Sequence, residues 1–372
     1  MSTREAGWFH RVLLPPIILQ SMIIGGGYST GREVVEYAAK HGAAGWMSVL
    51  VIFVGFSLFS FLVFELARVS RSYDYKSFIR QLIGPLWPLF DLVLVVMFLF
   101  VIAVMLAAVG SILERTLGLP RTLGVLFTFV VVAVLAYMGQ QTIERFKTVG
   151  TVLLYVGYAI FSGIVLTSSW DGVVAGLRAS EGADVGAAAV SGVLYVGYNL
   201  SVYPMVLFCL YRQQGRVDAA VSGVVAGVMM TLPFLLTWLC LMAFPTPDVM
   251  AADVPWLEML ADAAPAWVML LYGVVVGWTL VETSIGGVHG MEDRIDKNID
   301  DLPRAIATRI DRLSSTQRSV GAALMLLTAL GMSRFGIVAL VASGYGAMAY
   351  VFLALLAVPL LTVGVVKIAR AT

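Results

Sequence analysis

Three consecutive glycines interrupt the first apolar segment of the chain, and a charged pair follows them directly. The segment reads Ile23-Ile24-Gly25-Gly26-Gly27-Tyr28-Ser29-Thr30-Gly31-Arg32-Glu33. Glycine weakens a helix, so this stretch should expose backbone amides and carbonyls. Amides from Gly26 to Thr30, at the positive end of the resumed half-helix, favour a carboxylate ligand. The nearby Glu33 is a candidate for binding a cation or exchanging a proton.

The charged pair also has structural interpretations. Thr30 and Glu33 have capping-box spacing, in which the Thr30 hydroxyl accepts a hydrogen bond from the Glu33 amide while Glu33 reaches back. Arg32 keeps its proton and so needs an anion nearby. The candidate partners are Glu33, Glu36 and Glu282. The sequence leaves open whether Arg32 forms a structural ion pair or contacts a substrate.

A second interruption lies about half a chain later, at Gly197 to Ser201, and Pro204 follows it. Proline suits the first turn of a resumed half-helix, and an amide side chain in an apolar segment needs a partner. Glycines in membrane helices also mark close packing. Two interruptions at corresponding positions nevertheless favour a binding site built from both. The predicted substrate-binding residues are Gly25, Gly26, Gly27, Tyr28, Ser29, Thr30, Tyr198, Asn199 and Ser201.

A further polar group, Glu282-Thr283-Ser284, lies in the eighth apolar segment. Hard cations prefer several oxygen ligands, which hydroxyls and exposed carbonyls supply. Serine and threonine also bond to carbonyls of their own helix, so the hydroxyls have a structural interpretation too. Glu282 has three possible roles: it neutralises Arg32, adds a cation ligand, or carries a coupling proton.

The composition identifies the elements that must position these residues. The chain is 60% hydrophobic and only 13% charged, with a mean hydropathy of +0.91, which indicates a polytopic membrane protein. Its 24 basic and 23 acidic residues give no electrostatic footprint for nucleic acid. Two cysteines in apolar runs and three histidines without metal-ligand spacing predict neither a metal centre nor a redox cofactor.

Apolar runs of about 20 residues predict an all-α protein with ten membrane-spanning helices. The predicted spans are 11–39, 43–68, 87–115, 120–139, 147–168, 186–211, 217–243, 266–290, 317–333 and 345–368. Residues 335–344 are also apolar and could form a re-entrant or interfacial helix. The two halves, 1–170 and 171–372, each receive five spans, and the interruptions fall in the first and sixth.

Charge and amphipathic patterning orient these spans. Most of the 24 lysines and arginines fall on the side of both termini, which predicts that both are cytoplasmic. Connectors at 72–83 and 302–312 have the pattern of interfacial helices. A third connector carries Trp256, Leu257 and Leu260 on one helical face. It is either a short helix that caps a cavity or a solvated loop.

The motifs GGGYSTGRE, from Gly25 to Glu33, and VETSIGG, from Val281 to Gly287, resemble those of the YkvI-type amino-acid permeases. This group lies in the amino acid, polyamine and organocation (APC) superfamily, and the resemblance covers essentially the whole chain. It implies the leucine-transporter fold, in which two five-helix inverted repeats form one transmembrane domain. It also implies a sodium site at Ser21, Ile24, Thr283 and Ser284.

We therefore expect a secondary transporter that moves a small amino acid, an amine or a related solute by cation-coupled symport. Sodium is favoured over protons as the coupling ion, and no other cofactor is expected. The expected location is the cytoplasmic membrane of a prokaryote. The alternative is a ligand sensor on the same fold that binds a solute without moving it. An enzyme is not expected, although Glu282 and His289 would share a helix face.

Overall fold

A computed structural model describes residues 7–138, 140–179, 182–298 and 315–371, and within these ranges the protein is helical with no strand. Six helices are long and apolar enough to cross a membrane. Residues 152–168 and 170–179 form a pair bent by 76°, which makes a seventh span if the pair counts as one. The protein is thus a multi-pass helical membrane protein.

The helices follow one another with short connections. In chain order they are α1 (Phe9–Ile23), α2 (Gly26–Ser29), α3 (Arg32–Tyr37), α4 (Gly45–Ser70), α5 (Tyr75–Ile83), α6 (Trp87–Leu117), α7 (Arg121–Met138), α8 (Gln140–Ser168), α9 (Trp170–Ala179), α10 (Val185–Asn199), α11 (Arg216–Ala243), α12 (Pro247–Ala251), α13 (Pro255–Ala263), α14 (Ala266–Asn298), α15 (Ser315–Ser333) and α16 (Ile337–Ala371). Two 3₁₀ segments, Leu200–Met205 and Leu207–Arg212, extend α10.

The first span is interrupted twice. α1 ends at Ile23, and Gly25 leaves helical geometry with a ψ of −107°. One turn of helix, α2, follows before Gly31 takes a left-handed φ of 82°, which glycine adopts without steric cost. The chain then continues as α3. The glycines therefore divide the span into three short pieces instead of two half-helices.

The sixth span changes its helix type instead of unwinding. α10 stays α-helical through Gly197 and passes into a 3₁₀ segment at Leu200, so the predicted start of the break at Gly197 is wrong. Gly197 serves close packing, because an added Cβ would lie 2.9 Å from Leu353 Cγ. Pro204 lies inside the 3₁₀ segment and starts no new half-helix.

The last span is longer than the sequence predicts. α16 runs without a gap through residues 337–371, with α-helical and π-helical turns alternating along it. Residues 337–344 are therefore its first turns and form no re-entrant helix.

Small residues allow the spans that surround the interrupted first span to approach one another closely. α4 packs along α11, where an added Cβ at Gly227 would lie 2.0 Å from Ser57 Oγ and one at Gly223 would lie 2.9 Å from the Ser57 carbonyl. These two glycines therefore serve close packing between the two helices. On the other side of the bundle, α6 packs on α14, and both contact α2. The interrupted first span is thus enclosed by continuous helices.

Two of the three predicted surface helices are present as α5 and α13. Asp74 caps the N-terminus of α5, and its carboxylate accepts a hydrogen bond from the Ser77 amide at 2.9 Å. In α13, Trp256 and Leu257 are each only 1% exposed, which excludes the solvated-loop interpretation. The third predicted helix, at 302–312, lies outside the described residues.

Candidate functional site

A cavity of about 80 Å³ lies between the two interrupted spans. Side chains from α1, α3, α6, α14 and α16 line it together with the junction between α10 and its 3₁₀ extension. Its volume is several times what one buried water needs, so it has room for a small ligand. Seven residues predicted for binding or coupling line it, namely Ser21, Glu33, Tyr198, Asn199, Ser201, Glu282 and Thr283.

A hydrogen bond of Glu33 connects the first span to the sixth. Its Oε2 accepts a hydrogen bond of 2.5 Å from the hydroxyl of Tyr198, and its side chain is only 5% exposed. The predicted capping box is wrong, because Thr30 Oγ1 accepts a hydrogen bond from the Arg32 amide at 3.2 Å. The Glu33 carboxylate therefore belongs to the cavity and does not cap α3.

Aromatic rings surround this hydrogen bond. The Tyr198 ring lies 4.9 Å from that of Tyr345 and 5.6 Å from that of Tyr37, measured between centroids. Asn199 also faces the cavity, but its Nδ2 donates to the Tyr195 carbonyl of the preceding turn at 2.8 Å. The amide thus finds within its own helix the partner that its burial requires.

Most of the glycine-rich segment from Gly25 to Glu33 lies away from this cavity, towards the connection between α11 and α14. Tyr28 is fully buried and stacks on Tyr158 at 5.8 Å. The Ser29 carbonyl accepts from the Tyr272 hydroxyl at 2.8 Å, and the Thr30 carbonyl accepts from the Trp256 amide at 3.3 Å. Gly26 and Gly27 form the first turn of α2.

The Arg32 side chain also points towards the connection between α11 and α14. Its Nη1 donates to the carbonyls of Met250 and Ala252 at 2.5 and 3.3 Å, and its Nη2 lies 3.8 Å from Glu36 Oε2. Of the predicted partners, Glu36 is therefore the one that the structure pairs with Arg32. The carbonyl partners were missed, since backbone acceptors leave no signal in the sequence.

We call residues 247–263, which comprise α12 and α13, the cap. Charge pairs and a buried ring hold the cap to its neighbours, in addition to Arg32. Asp253 bonds to Arg121 at 2.9 Å and Glu258 to Arg115 at 2.7 Å, while Trp256 Nε1 donates to the Tyr158 hydroxyl at 3.1 Å. The cap thereby covers the end of the first span that carries α2 and α3.

A second, smaller cavity of about 10 Å³ adjoins the break at Gly25. This is close to the volume occupied by one water molecule. Its lining combines residues predicted for the cation site with others that the sequence reasoning missed. The lining residues are Ser21, Ile24, Gly25, Leu154, Tyr155, Thr279 and Glu282.

The hydroxyls predicted for this site differ in position. Thr283 Oγ1 donates to the Thr279 carbonyl at 3.0 Å, and an added Cβ at Gly25 would lie 2.2 Å from it. Ser284 Oγ donates to the Leu280 carbonyl at 2.9 Å, and Ser284 lies outside the lining of the small cavity. Thr279 lines the small cavity instead of Ser284. The signal for Thr279 was its position one helical turn before Thr283.

Glu282 lines both cavities and is only 5% exposed, so one carboxylate is shared by the two sites. Both cysteines are buried. The described part of the chain contains no cluster of three His, Cys, Asp or Glu residues that could hold a metal ion in the usual way.

No protein-family model matches the chain. It is similar to the uncharacterized membrane protein YkvI of Bacillus subtilis (strain 168), with 25% identity over 295 residues. The match covers 73% of this chain and 78% of the relative. Sequence similarity and helical structure agree that the chain is a multi-pass membrane protein with a YkvI homologue in Bacillus subtilis.

Proposed function

We propose that the chain is a secondary transporter that moves a small organic solute by cation-coupled symport with alternating access. One observation carries the proposal: the central cavity is lined by both interrupted spans and shares Glu282 with a cavity the size of a single ion. In transporters, interrupted helices place backbone and polar groups at mid-membrane, where substrate and ion bind.

The packing of the helices supports a ten-span arrangement of two five-helix repeats. The six long helices, the bent pair and three shorter apolar helices, Phe9–Ile23, Arg121–Leu135 and Val320–Ser333, correspond to the ten predicted spans. Helices that such repeats would relate contact each other, as α4 contacts α11 and α6 contacts α14. A symmetry axis between the two halves would produce this pairing.

Sodium suits the small cavity best. The carbonyl-rich break at Ile24 and Gly25, the Thr279 hydroxyl and the Glu282 carboxylate offer the oxygens that a hard cation prefers. In a proton-coupled mechanism the same carboxylate would carry the proton. In both cases the ion and the solute share Glu282, which provides a physical basis for coupling them.

The direction of access follows from the cap. The cap and Tyr28 close one end of the first span, whereas Ser21 at the other side of the break is exposed. With the N-terminus in the cytoplasm, as the charge pattern predicts, this is a state closed to the exterior. Release of the cap would open the cavity to the exterior.

Uptake into liposomes tests this proposal. We expect the purified protein to accumulate a radiolabelled solute under an imposed sodium gradient, and not after the gradient is collapsed. Accumulation under a proton gradient alone would identify protons as the coupling ion. Saturable binding without flux in either gradient would overturn the transporter and favour a sensor.

A pair of variants locates the ion. Thr279 lines the small cavity and Ser284 does not, although each hydroxyl donates to a carbonyl of its own helix at 2.9 Å, Thr279 to Val275 and Ser284 to Leu280. Thr279→Val and Ser284→Ala therefore remove hydroxyls that differ only in position. We expect the first to weaken the dependence of uptake on sodium about tenfold and the second to leave it nearly unchanged. The reverse order would place the ion at Ser284 instead.

A further inference from the structure

We propose that α5 and the first turn of α6 bind the headgroup of an anionic phospholipid, with Arg80 and Trp87 at the centre of the site. Both residues lie outside the linings of the two cavities, so the inference does not rest on the proposed transport. The ligand is a component of the bilayer, in the leaflet that the charge pattern predicts to be cytoplasmic.

The short helix α5 is fixed to the protein by one face and presents cations on another. Its apolar side chains Phe78, Ile79 and Leu82 are buried, whereas Arg80 is exposed. Lys76 precedes Arg80 by four residues, so the two cations lie on the same side of the helix. The buried face thus holds α5 in a position that turns these cations outward.

The two cations meet at one aromatic ring. Lys76 Nζ lies 4.9 Å and Arg80 Cζ lies 5.4 Å from the centroid of the Trp87 ring, close enough for cation–π attraction. No ion pair within the described part of the chain includes Arg80. The Arg80 guanidinium is therefore available to a phosphate group, which it can bind through two parallel hydrogen bonds.

The surface around this ring is basic as a whole. Lys367 Nζ, near the end of α16, donates to the Gln81 carbonyl at 2.9 Å, which brings a second basic segment next to α5. Residues 71–91 and 365–371 together carry five cations against two carboxylates, namely Arg71, Lys76, Arg80, Lys367 and Arg370 against Asp74 and Asp91. Such a surface attracts the anionic lipids of the cytoplasmic leaflet.

Apolar side chains beside Trp87 continue the site into the bilayer. Leu86 and Leu89 flank the ring in the sequence, Leu92 follows along α6, and all three are exposed. Exposed leucines on a membrane span contact acyl chains, and tryptophan is enriched where acyl chains give way to headgroups. The cations would then contact the headgroup while the leucines contact the chains of the same lipid, which favours a phospholipid over a soluble phosphate.

The lipid site is also connected to the central cavity. α5 contacts the 3₁₀ segment Leu200–Met205, which supplies Ser201, Val202 and Met205 to the lining of that cavity. A lipid that fixes α5 should therefore stabilise the bundle around this segment as well as α5 itself. Binding should be visible as a rise in the melting temperature of the whole protein.

Two lipids with the same acyl chains test the headgroup on the purified full-length chain in detergent micelles. Dioleoylphosphatidylglycerol has a net negative charge, whereas dioleoylphosphatidylcholine has none. We expect the first to raise the melting temperature in a saturable way and at lower concentration than the second, with a difference that shrinks at high salt. Equal stabilisation by the two lipids would overturn the inference. Equal stabilisation by soluble glycerol phosphate would also overturn it, since a free phosphate would then suffice.

A pair of arginine variants locates the site. Arg80 and Arg334 are both exposed and form no ion pair within the described residues, but Arg334 lies before the start of α16, at the end opposite to Lys367. Arg80→Gln should weaken the apparent affinity for phosphatidylglycerol about fivefold, the usual contribution of one cation near an anionic surface. Arg334→Gln should leave that affinity nearly unchanged.

Equal weakening by Arg80→Gln and Arg334→Gln would overturn the role of Arg80. The melting temperature of each variant in phosphatidylcholine alone shows whether the substitution has changed stability without any anionic lipid. The comparison of the two lipids on the wild-type chain tests the ligand class even if Arg80→Gln does not fold.

Discussion

The central cavity and the cap use charge in opposite ways, although adjacent residues of one short helix serve them. Glu33 faces the cavity, where both charged residues of the described lining are acidic, whereas Arg32 faces the cap, where it is 4% exposed and donates to carbonyls. Consecutive helical residues point in different directions, so α3 supplies both regions. The charged residues of the described cavity lining are acidic, while those of the cap pair with arginines of neighbouring helices.

Under the proposed function, the cavity is the region that binds and the cap is the region that closes. The cavity combines few polar groups with aromatic and methionine side chains at a change of helix type, and local 3₁₀ structure often marks a hinge. The cap is held by ion pairs and hydrogen bonds to Arg32, Arg115, Arg121 and Tyr158. The following predictions change one region at a time.

The largest effect is expected at the carboxylate shared by the two cavities. Glu282→Gln should reduce sodium-driven accumulation about 100-fold, because the ion and the solute would lose their common group. Accumulation in liposomes and stabilisation by sodium are the measurements. Sodium stabilisation equal to that of the wild type would show that Glu282 is not an ion ligand.

Removal of Arg32 should release the cap. Arg32→Met leaves the Met250 and Ala252 carbonyls without their donor, and lost hydrogen bonds to a buried charge cost about 3 kcal/mol together. In a Leu257→Cys background, a membrane-impermeant thiol reagent should react at least about tenfold faster after this change. Cys209 and Cys240 are buried and supply a low background. Unchanged labelling would mean that Arg32 does not hold the cap closed.

Gly25 and Gly31, at the two breaks of the first span, should respond differently to an added methyl group. Gly25→Ala brings Cβ to 2.2 Å from Thr283 Oγ1, and such overpacking costs about 1–3 kcal/mol. The clash is with one side chain, so Gly25→Ala combined with Thr283→Ala should recover most of the loss. Thermal unfolding of both single variants and the double variant measures this coupling. Simple additivity would contradict the contact.

Gly31→Ala should cost slightly less, about 1–2 kcal/mol, because its φ of 82° is unfavourable for alanine. The new Cβ would also lie 3.0 Å from Trp256 Cδ1 at the cap. No single partner substitution relieves the backbone strain, so Trp256→Phe in the same chain should fail to restore stability. Recovery of the melting temperature in that double variant would point to a side-chain clash instead.

The smallest effect is expected at the exposed edge of the cap. Arg115→Gln breaks the pair with Glu258, and the Arg115 side chain is 51% exposed, so the loss should stay below about 1 kcal/mol. The difference from the wild type should shrink further at high salt. A loss as large as that of Arg32→Met would mean that the exposed pairs hold the cap.

Part of this site could be predicted from local sequence alone. The glycine run that begins at Gly25 predicts a break because glycine disrupts helices whatever surrounds it, and the acidic residues Glu33 and Glu282 stand out within apolar segments. The carbonyl partners of Arg32 could not be predicted, because they lie 218 and 220 residues away in the chain. The capping box failed for the same reason, since Tyr198 binds Glu33 from 165 residues away.

The sequence by itself determined that the chain is a multi-pass helical membrane protein, because the length and hydrophobicity of a span are properties of consecutive residues. It also determined that the first span breaks at Gly25, whereas the second break, at Gly31, emerged from the structure. The tertiary structure alone decided that Arg32 and Glu33 serve different regions, and that the sixth span passes into a 3₁₀ segment at Leu200. Those outcomes depend on which distant groups satisfy each buried charge and backbone atom, and only packing brings these groups together.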